Sequence, residues 1–297
     1  MENTEINKIE NVENTHSEGE ISHEATMYAE PVAHIGSFTV TNALLTAWIA
    51  VAIIILFVAI LRKKMQEKPK GIQNFFEVIF EGALSLCDQV TGNRTLTLKL
   101  FPLSFAIFVF VLVNNWLGIL PLGGFGLIES SETGKAFIPF IRSGTADVNT
   151  TLALAFISII GANVFGIVSI GIWKTFNKYV NLKALGKITQ IRKDPSVVIV
   201  APISFFVGIL ELVGEFAKVA SLSFRLFGNV FAGEVLLLAM SAIFAYGLPI
   251  PFMFLEVFVG GIQAFIFAIL VLVYFTIASQ DHEEHEEGTE RGHAHAH

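Results

Sequence analysis

Residues 198–246 read VIVAPISFFVGILELVGEFAKVASLSFRLFGNVFAGEVLLLAMSAIFAY, and no proline interrupts them after Pro202. One continuous helix through this stretch has more than forty residues. At 1.5 Å per residue that is roughly 60 Å, about twice a bilayer core. Such a helix tilts, kinks or emerges into solvent, and its apolar content argues against emerging. The expectation is strong tilt, with 252–279 paired against it through the turn Gly247-Leu-Pro-Ile-Pro251.

Outward from this block, three more stretches approach bilayer-spanning length: Ala43–Leu61, Leu100–Leu120 and Thr151–Trp173. Ile72–Val90 differs in kind. Its Ile72, Phe75, Phe76, Ile79, Phe80, Ala83 and Leu84 recur at 3–4 spacing opposite Gln73, Asn74, Glu77, Glu81 and Ser85. That spacing suits a helix lying on a membrane surface. The fold class expected is an all-α membrane protein with five membrane-crossing helices and one amphipathic surface helix, the last two crossing helices long and strongly tilted.

The composition agrees: 53% hydrophobic residues, with 28 phenylalanines among 297. The net charge of −7 resides at the ends, since residues 1–36 hold eight Glu against Lys8, and 281–297 hold six acids against Arg291. The expected organisation is an acidic disordered tail over 1–36, a membrane domain over 37–280 and an acidic, His-containing disordered tail over 281–297. The polar N-terminus does not read as a cleavable signal peptide. Basic clusters at Arg62, Lys63, Lys64, Lys68 and Lys70, and at Lys174–Lys193, lie two spans apart. Both fit the cytoplasmic side, which puts the N-terminus outside and the C-terminus in the cytoplasm.

Ionisable groups at bilayer depth cost about 2.5–3.5 kcal/mol each on the lenient insertion scale. The long helix carries Glu211, Glu215, Lys218, Arg225 and Glu234, and the last helix carries Glu256. Glu211, Lys218 and Arg225 fall seven apart on one stripe, with Asn229 a turn beyond, whereas Glu234 falls on the opposite face. Two polar half-paths would thus approach a central cation without joining. Gly214, Ala217, Ser221, Gly228 and Ala232 run along nearly the face of Arg225. They suit packing on the chain's own helices, or close approach of a partner that carries an acid. Glu256, Gln263 and Tyr274 share a stripe on the last helix, and Glu215 with Lys218 suits a structural ion pair.

Other functions fit less well. A secondary transporter predicts inverted repeats and broken helices, which are not visible. A self-contained channel predicts polar residues on several crossings, whereas these charges crowd onto two helices. No phosphate-binding G-x-x-x-x-G-K-[ST] sequence occurs. Cys87 is the only cysteine, so no intrachain disulfide or cysteine metal site is expected. The His293–His297 run is read as a solvated tail, so neither metal nor cofactor is expected.

Ser221-Leu-Ser-Phe-Arg225-Leu-Phe-Gly-Asn229-Val-Phe-Ala-Gly-Glu234 closely resembles the signature of the subunit a family of rotary ATP synthases. Gln263-Ala-Phe-Ile-Phe267 resembles the matching part of that family's last helix, and Asn114, Leu120-Pro121 and Ala146-Asp147-Val-Asn149 also fit its pattern. The resemblance covers about 38–280. It implies a non-catalytic stator subunit of the membrane Fo sector, which moves protons to and from a ring of c subunits and contacts stalk subunit b. It implies the lipid bilayer of a bacterial plasma (inner) membrane as its setting, and no nucleic acid partner.

By the same resemblance, Arg225 matches the essential arginine facing the c-ring. Asn229, Glu234 and Gln263 match polar residues in or near the half-channels, and Glu211 matches an acid of the cytoplasmic one. Ser221, Gly228, Lys218, Asn114 and Asp147 are expected in supporting or interface positions. Some bacterial members have a histidine where this chain has Glu256. All eight histidines here lie in the tails, so Glu256 takes that place, and two acids at 234 and 256 would favour a shared proton.

Overall fold

The computed structural model describes residues 21–22, 26–64, 71–120, 126–131, 134–172, 197–244 and 247–279. Six long helices are present among them: α1 Asn42–Lys64, α2 Ile72–Thr91, α3 Arg94–Ile119, α4 Val148–Ile170, α5 Val197–Ile243 and α6 Pro249–Ser279. All except α2 are long and apolar enough to cross a membrane. The long stretch is one helix of 47 residues, ended before the expected proline turn. The second basic cluster and the C-terminal tail lie outside the described residues, as do Pro121, Pro69 and residues 1–20.

Short strands accompany the helices. β1 (Ile21–Ser22) pairs in parallel with β5 (Gly134–Pro139), which pairs antiparallel with β4 (Gly126–Ser131). β2 (Pro31–Ile35) forms an antiparallel hairpin with β3 (Phe38–Thr41). Residues 31–35 were expected in a tail without structure. They are ordered as β2, turning at Gly36, whose φ of 66° suits a residue lacking Cβ.

The chain divides into two compact units. The first takes residues 1–67, 107–151 and 224–265, so it holds the strands, α1 and parts of α3, α5 and α6. Its interior mixes Val111, Leu226, Val230 and Ala264 with buried Asn42, Thr46, Asn114 and Asn115. Glycines permit the close approaches. A Cβ at Gly260 would lie 3.3 Å from Asn115, and one at Gly118 would overlap Ser143. Asn115 in turn donates to the Gly260 carbonyl at 3.0 Å, and Trp116 donates to the Val257 carbonyl at 3.1 Å. These bonds tie α3 to α6.

The second unit takes 68–106, 152–223 and 266–297. There α2 ends at Gly92, in the left-handed conformation with its N–H on the Asp88 carbonyl. Asn93 then starts α3 by accepting from the Thr95 and Leu96 N–H groups. Asp88 pairs with Arg94 across this turn. Its carboxyl is held below its ordinary value, first by the Thr97 hydroxyl and then by Arg94. Phe80 of α2 packs edge-on against Phe101 and tilted against Phe105 of α3. Gly161 and Gly166 let α4 approach Phe275 and Ala278 of α6.

Candidate functional site

Arg225 stands on α5 with its side chain exposed. It makes no ion pair among the described residues. Ala217, Ser221 and Ala232 of its stripe are exposed too, and nothing lies within 4 Å of a Cβ added at Gly214 or Gly228.

Glu234, nine residues on, is placed quite differently. Its carboxylate is held by Arg142, whose Nε donates to Oε1 at 2.9 Å and whose Nη2 donates to Oε2 at 2.9 Å. The side chain of Arg142 is only 5% exposed, that of Glu234 28%. Nη1 of the same guanidinium donates to the Thr26 hydroxyl at 3.0 Å and to the Tyr28 carbonyl at 3.1 Å, and Nη2 also reaches the Thr26 carbonyl. All five N–H donors of Arg142 are thereby used. The backbone N–H of Arg142 is fixed as well, on the Thr46 hydroxyl of α1 at 3.2 Å.

Sequence reasoning missed Arg142. It sits in a mixed-charge loop, and its partners are 92 and 116 residues away. The available signal was a lone cation five residues ahead of Asp147 at the head of a crossing helix. Glu234 was expected to share a proton with Glu256; the group that holds its carboxylate here is the Arg142 guanidinium.

Glu256 is in the same unit, and its carboxylate rests against the backbone of Gly233, where any Cβ would overlap it. Among the described residues that carboxylate has no ion pair or hydrogen bond. Asn229 Nδ2, Gln263 Nε2 and Asn114 Oδ1 are buried in this unit without a hydrogen-bond partner. A buried amide left so is costly unless water or a ligand reaches it. Asn114 is otherwise tied down, donating to the Phe110 carbonyl at 3.1 Å, and Thr145 links Ser143 to Asn115 beside it.

Asp147 is the N-cap of α4: one oxygen accepts from Thr150 N–H at 3.1 Å, the other from Asn149 N–H at 3.3 Å. The latter also accepts from Ala29 N–H at 3.3 Å. Asp147 thus anchors the same N-terminal segment that Arg142 holds.

Glu211 and Lys218 lie in the second unit. Lys218 pairs with Glu215 at 2.8 Å, as the i,i+3 spacing suggests, and stands 5.6 Å from the centre of the Tyr274 ring. Asn163 of α4 donates to the other Glu215 oxygen at 3.2 Å. Glu211 is half-buried one turn earlier. No group of three His, Cys, Asp or Glu able to hold a metal occurs among the described residues.

Residues 44–276 match the family described as ATP synthase A chain. The chain is 34% identical over 248 residues to ATP synthase subunit a of Syntrophobacter fumaroxidans, covering 83% of this chain and 87% of the relative. It is 36% identical over 242 residues to the chloroplastic ATP synthase subunit a of Stigeoclonium helveticum, covering 81% and 85%. Against ATP synthase subunit a of Mycobacterium bovis it is 34% identical over 256 residues, covering 84% and 92%. With a match through most of its length and through all five membrane-length helices, the chain is an integral membrane protein that belongs to the ATP synthase A chain family.

Proposed function

We propose that the chain is the stator subunit of the Fo sector of an F-type ATP synthase, forming two offset half-channels that carry protons to and from a rotating c-ring. The observation that carries this reading is Arg225, a cation left without an ion pair on an uncovered stripe of small residues. A rotor carboxylate, neutral while it faces lipid, enters this face and meets the guanidinium. The positive charge favours its ionised form, and its proton leaves through one half-channel. Once past Arg225 it is reprotonated from the other. The same charge repels a proton that would leak directly between the two.

Asn229, Glu234, Gln263 and Glu256 belong to the outer half-channel, supported by the unpartnered buried amides of Asn229 and Gln263. Glu211 belongs to the cytoplasmic one, with Lys218 beside it. Ser221 and Gly228 keep the rotor face small, while Asn114 and Asp147 support the fold around it. The subunit itself performs no catalytic step on nucleotide. It sits in a bacterial plasma membrane with its N-terminus outside and its C-terminus in the cytoplasm, its membrane domain spanning 37–280 between acidic tails. In this reading α2 lies on the membrane surface, α5 and α6 tilt strongly, and subunit b of the peripheral stalk holds the assembly against the ring's rotation.

The test is Arg225→Ala in the assembled complex. Proton-driven ATP synthesis is expected to disappear while the subunit is still incorporated. Normal synthesis in that variant sinks the proposal.

A further inference from the structure

We infer that Met27 and Tyr28 dock on the headgroup layer of the bilayer, so that the strap Thr26–Glu30 lies on the membrane surface where α1 and α4 begin. The inference needs only that these two helices cross a membrane, and it is independent of any proton path.

The level of the strap follows from the helices that it joins. α1 and α4 have 23 residues each. At 1.5 Å per residue that is about 35 Å, little more than the roughly 30 Å of a hydrocarbon core. Arg62, Lys63 and Lys64 close α1 at one boundary, and counting back about twenty residues from Leu61 puts the other boundary at Asn42. The strap is fastened there. Glu30 gives its N–H to Asn42 Oδ1 at 3.2 Å, and its carbonyl takes the Asn42 N–H at 3.0 Å. Earlier in the strap, the Met27 carbonyl accepts from the N–H of Val148, the first residue of α4, at 3.5 Å. No more than about 11 Å of chain separates Met27 from Glu30, so the strap keeps to the level at which both helices start.

The backbone of the strap is bound to the protein. Ala29 N–H bonds Asp147, and the Thr26 and Tyr28 carbonyls accept from Arg142, a side chain only 5% exposed. With these groups satisfied, the strap can lie against lipid without leaving them unpaired. The side chains it leaves open are Met27, 56% exposed, and Tyr28, 63% exposed. A single exposed apolar residue needs no partner, but these two are adjacent at the start of two crossing helices, and exposed Trp48, Val51 and Ile55 follow on α1. Tyrosine suits this level, with its ring at the apolar boundary and its hydroxyl in water. Residues 26–41 contain no Lys or Arg, so the surface fits the boundary of an uncharged phospholipid layer and has no need of anionic headgroups.

The test replaces Tyr28, and separately Met27, by p-benzoylphenylalanine in the whole complex reconstituted into phosphatidylcholine vesicles. On illumination the benzophenone carbonyl carbon bonds to the carbon of a neighbouring C–H group, whose hydrogen passes to the carbonyl oxygen. Mass spectrometry of the subunit then identifies what was captured. A phospholipid adduct is expected on at least about a tenth of the subunit with the probe at 28. A lower yield overturns the inference, as does capture of another subunit in place of lipid, or an adduct that forms only after phosphatidylglycerol is added. If the complex does not assemble with the probe at 28, the probe at 27 decides by the same outcomes.

Discussion

Two arginines in the same unit carry their charge in opposite ways. Arg142 is buried, and all five of its donors are engaged by Glu234, Thr26 and Tyr28. Arg225 is exposed on α5 and has no ion pair among the described residues. A buried charge and a charge on a membrane-length helix are both costly, but only Arg142 has its cost offset by the chain's own fold. Removing Arg142 should therefore damage the subunit, whereas disturbing Arg225 should damage what the subunit does with a partner.

The largest expected effect breaks the proposed partner face without touching the fold. Gly228→Leu puts a branched side chain near Arg225, at a position where nothing within 4 Å opposes even the first added carbon. Leu is also the better helix former by nearly 1 kcal/mol. The subunit should accumulate normally in the membrane, while ATP-driven proton pumping falls at least about tenfold because close helix approach is lost. Normal pumping would mean that no partner seats on this stripe, and a fall in subunit level would mean that the face is packed internally.

Arg142→Met should reverse that pattern. It leaves the Glu234 carboxylate without its cation and the Thr26 carbonyl without the Arg142 donor, while the Tyr28 carbonyl keeps only the Thr26 hydroxyl. Breaking a buried pair from one side costs about 3–5 kcal/mol, with the lower end expected here because Glu234 keeps 28% of its side chain exposed. The measurement is the thermal midpoint of subunit dissociation in the purified complex. An unchanged midpoint would place Arg142 beside Arg225 as a charge that the fold does not need.

The contrast also explains what could be read from the sequence. The five crossing helices were legible because each is a long apolar run, and Glu215–Lys218 because the two partners are three residues apart on one helix. The stripe around Arg225 was legible for the same reason, since helical periodicity alone puts Gly228 and Ser221 on its face. Arg142 was not, because nothing local couples it to Glu234 or Thr26, 92 and 116 residues away. The β2–β3 hairpin was hidden by the polar, acidic stretch before it. Gly233 appeared as part of a Gly-Glu signature, but its role as the bare surface under Glu256 depends on how α6 meets α5. Periodicity exposes what one helix carries, and long-range hydrogen bonds leave no such trace.

The smallest predicted effect sharpens the Arg142 side of the comparison, because Asp147 holds the same strap, the Thr26–Glu30 segment, from another point. Asp147→Ala removes the α4 N-cap, worth about 1 kcal/mol. It also removes the acceptor of Ala29 N–H, worth about another 1 kcal/mol net. The total is near 2 kcal/mol, below the cost of Arg142→Met. Asp147→Asn separates the two parts. Asparagine is as good a cap as aspartate, so the helix start is kept, but its amide supplies one acceptor oxygen where the carboxylate uses both. If the strap depends on Asp147, the Asn variant should recover the cap alone and leave the midpoint about 1 kcal/mol low, with cleavage by an added protease increased near Ala29. If Asn restores both stability and protection, the strap is held by Arg142 without help, and the five-donor guanidinium is its main fastening.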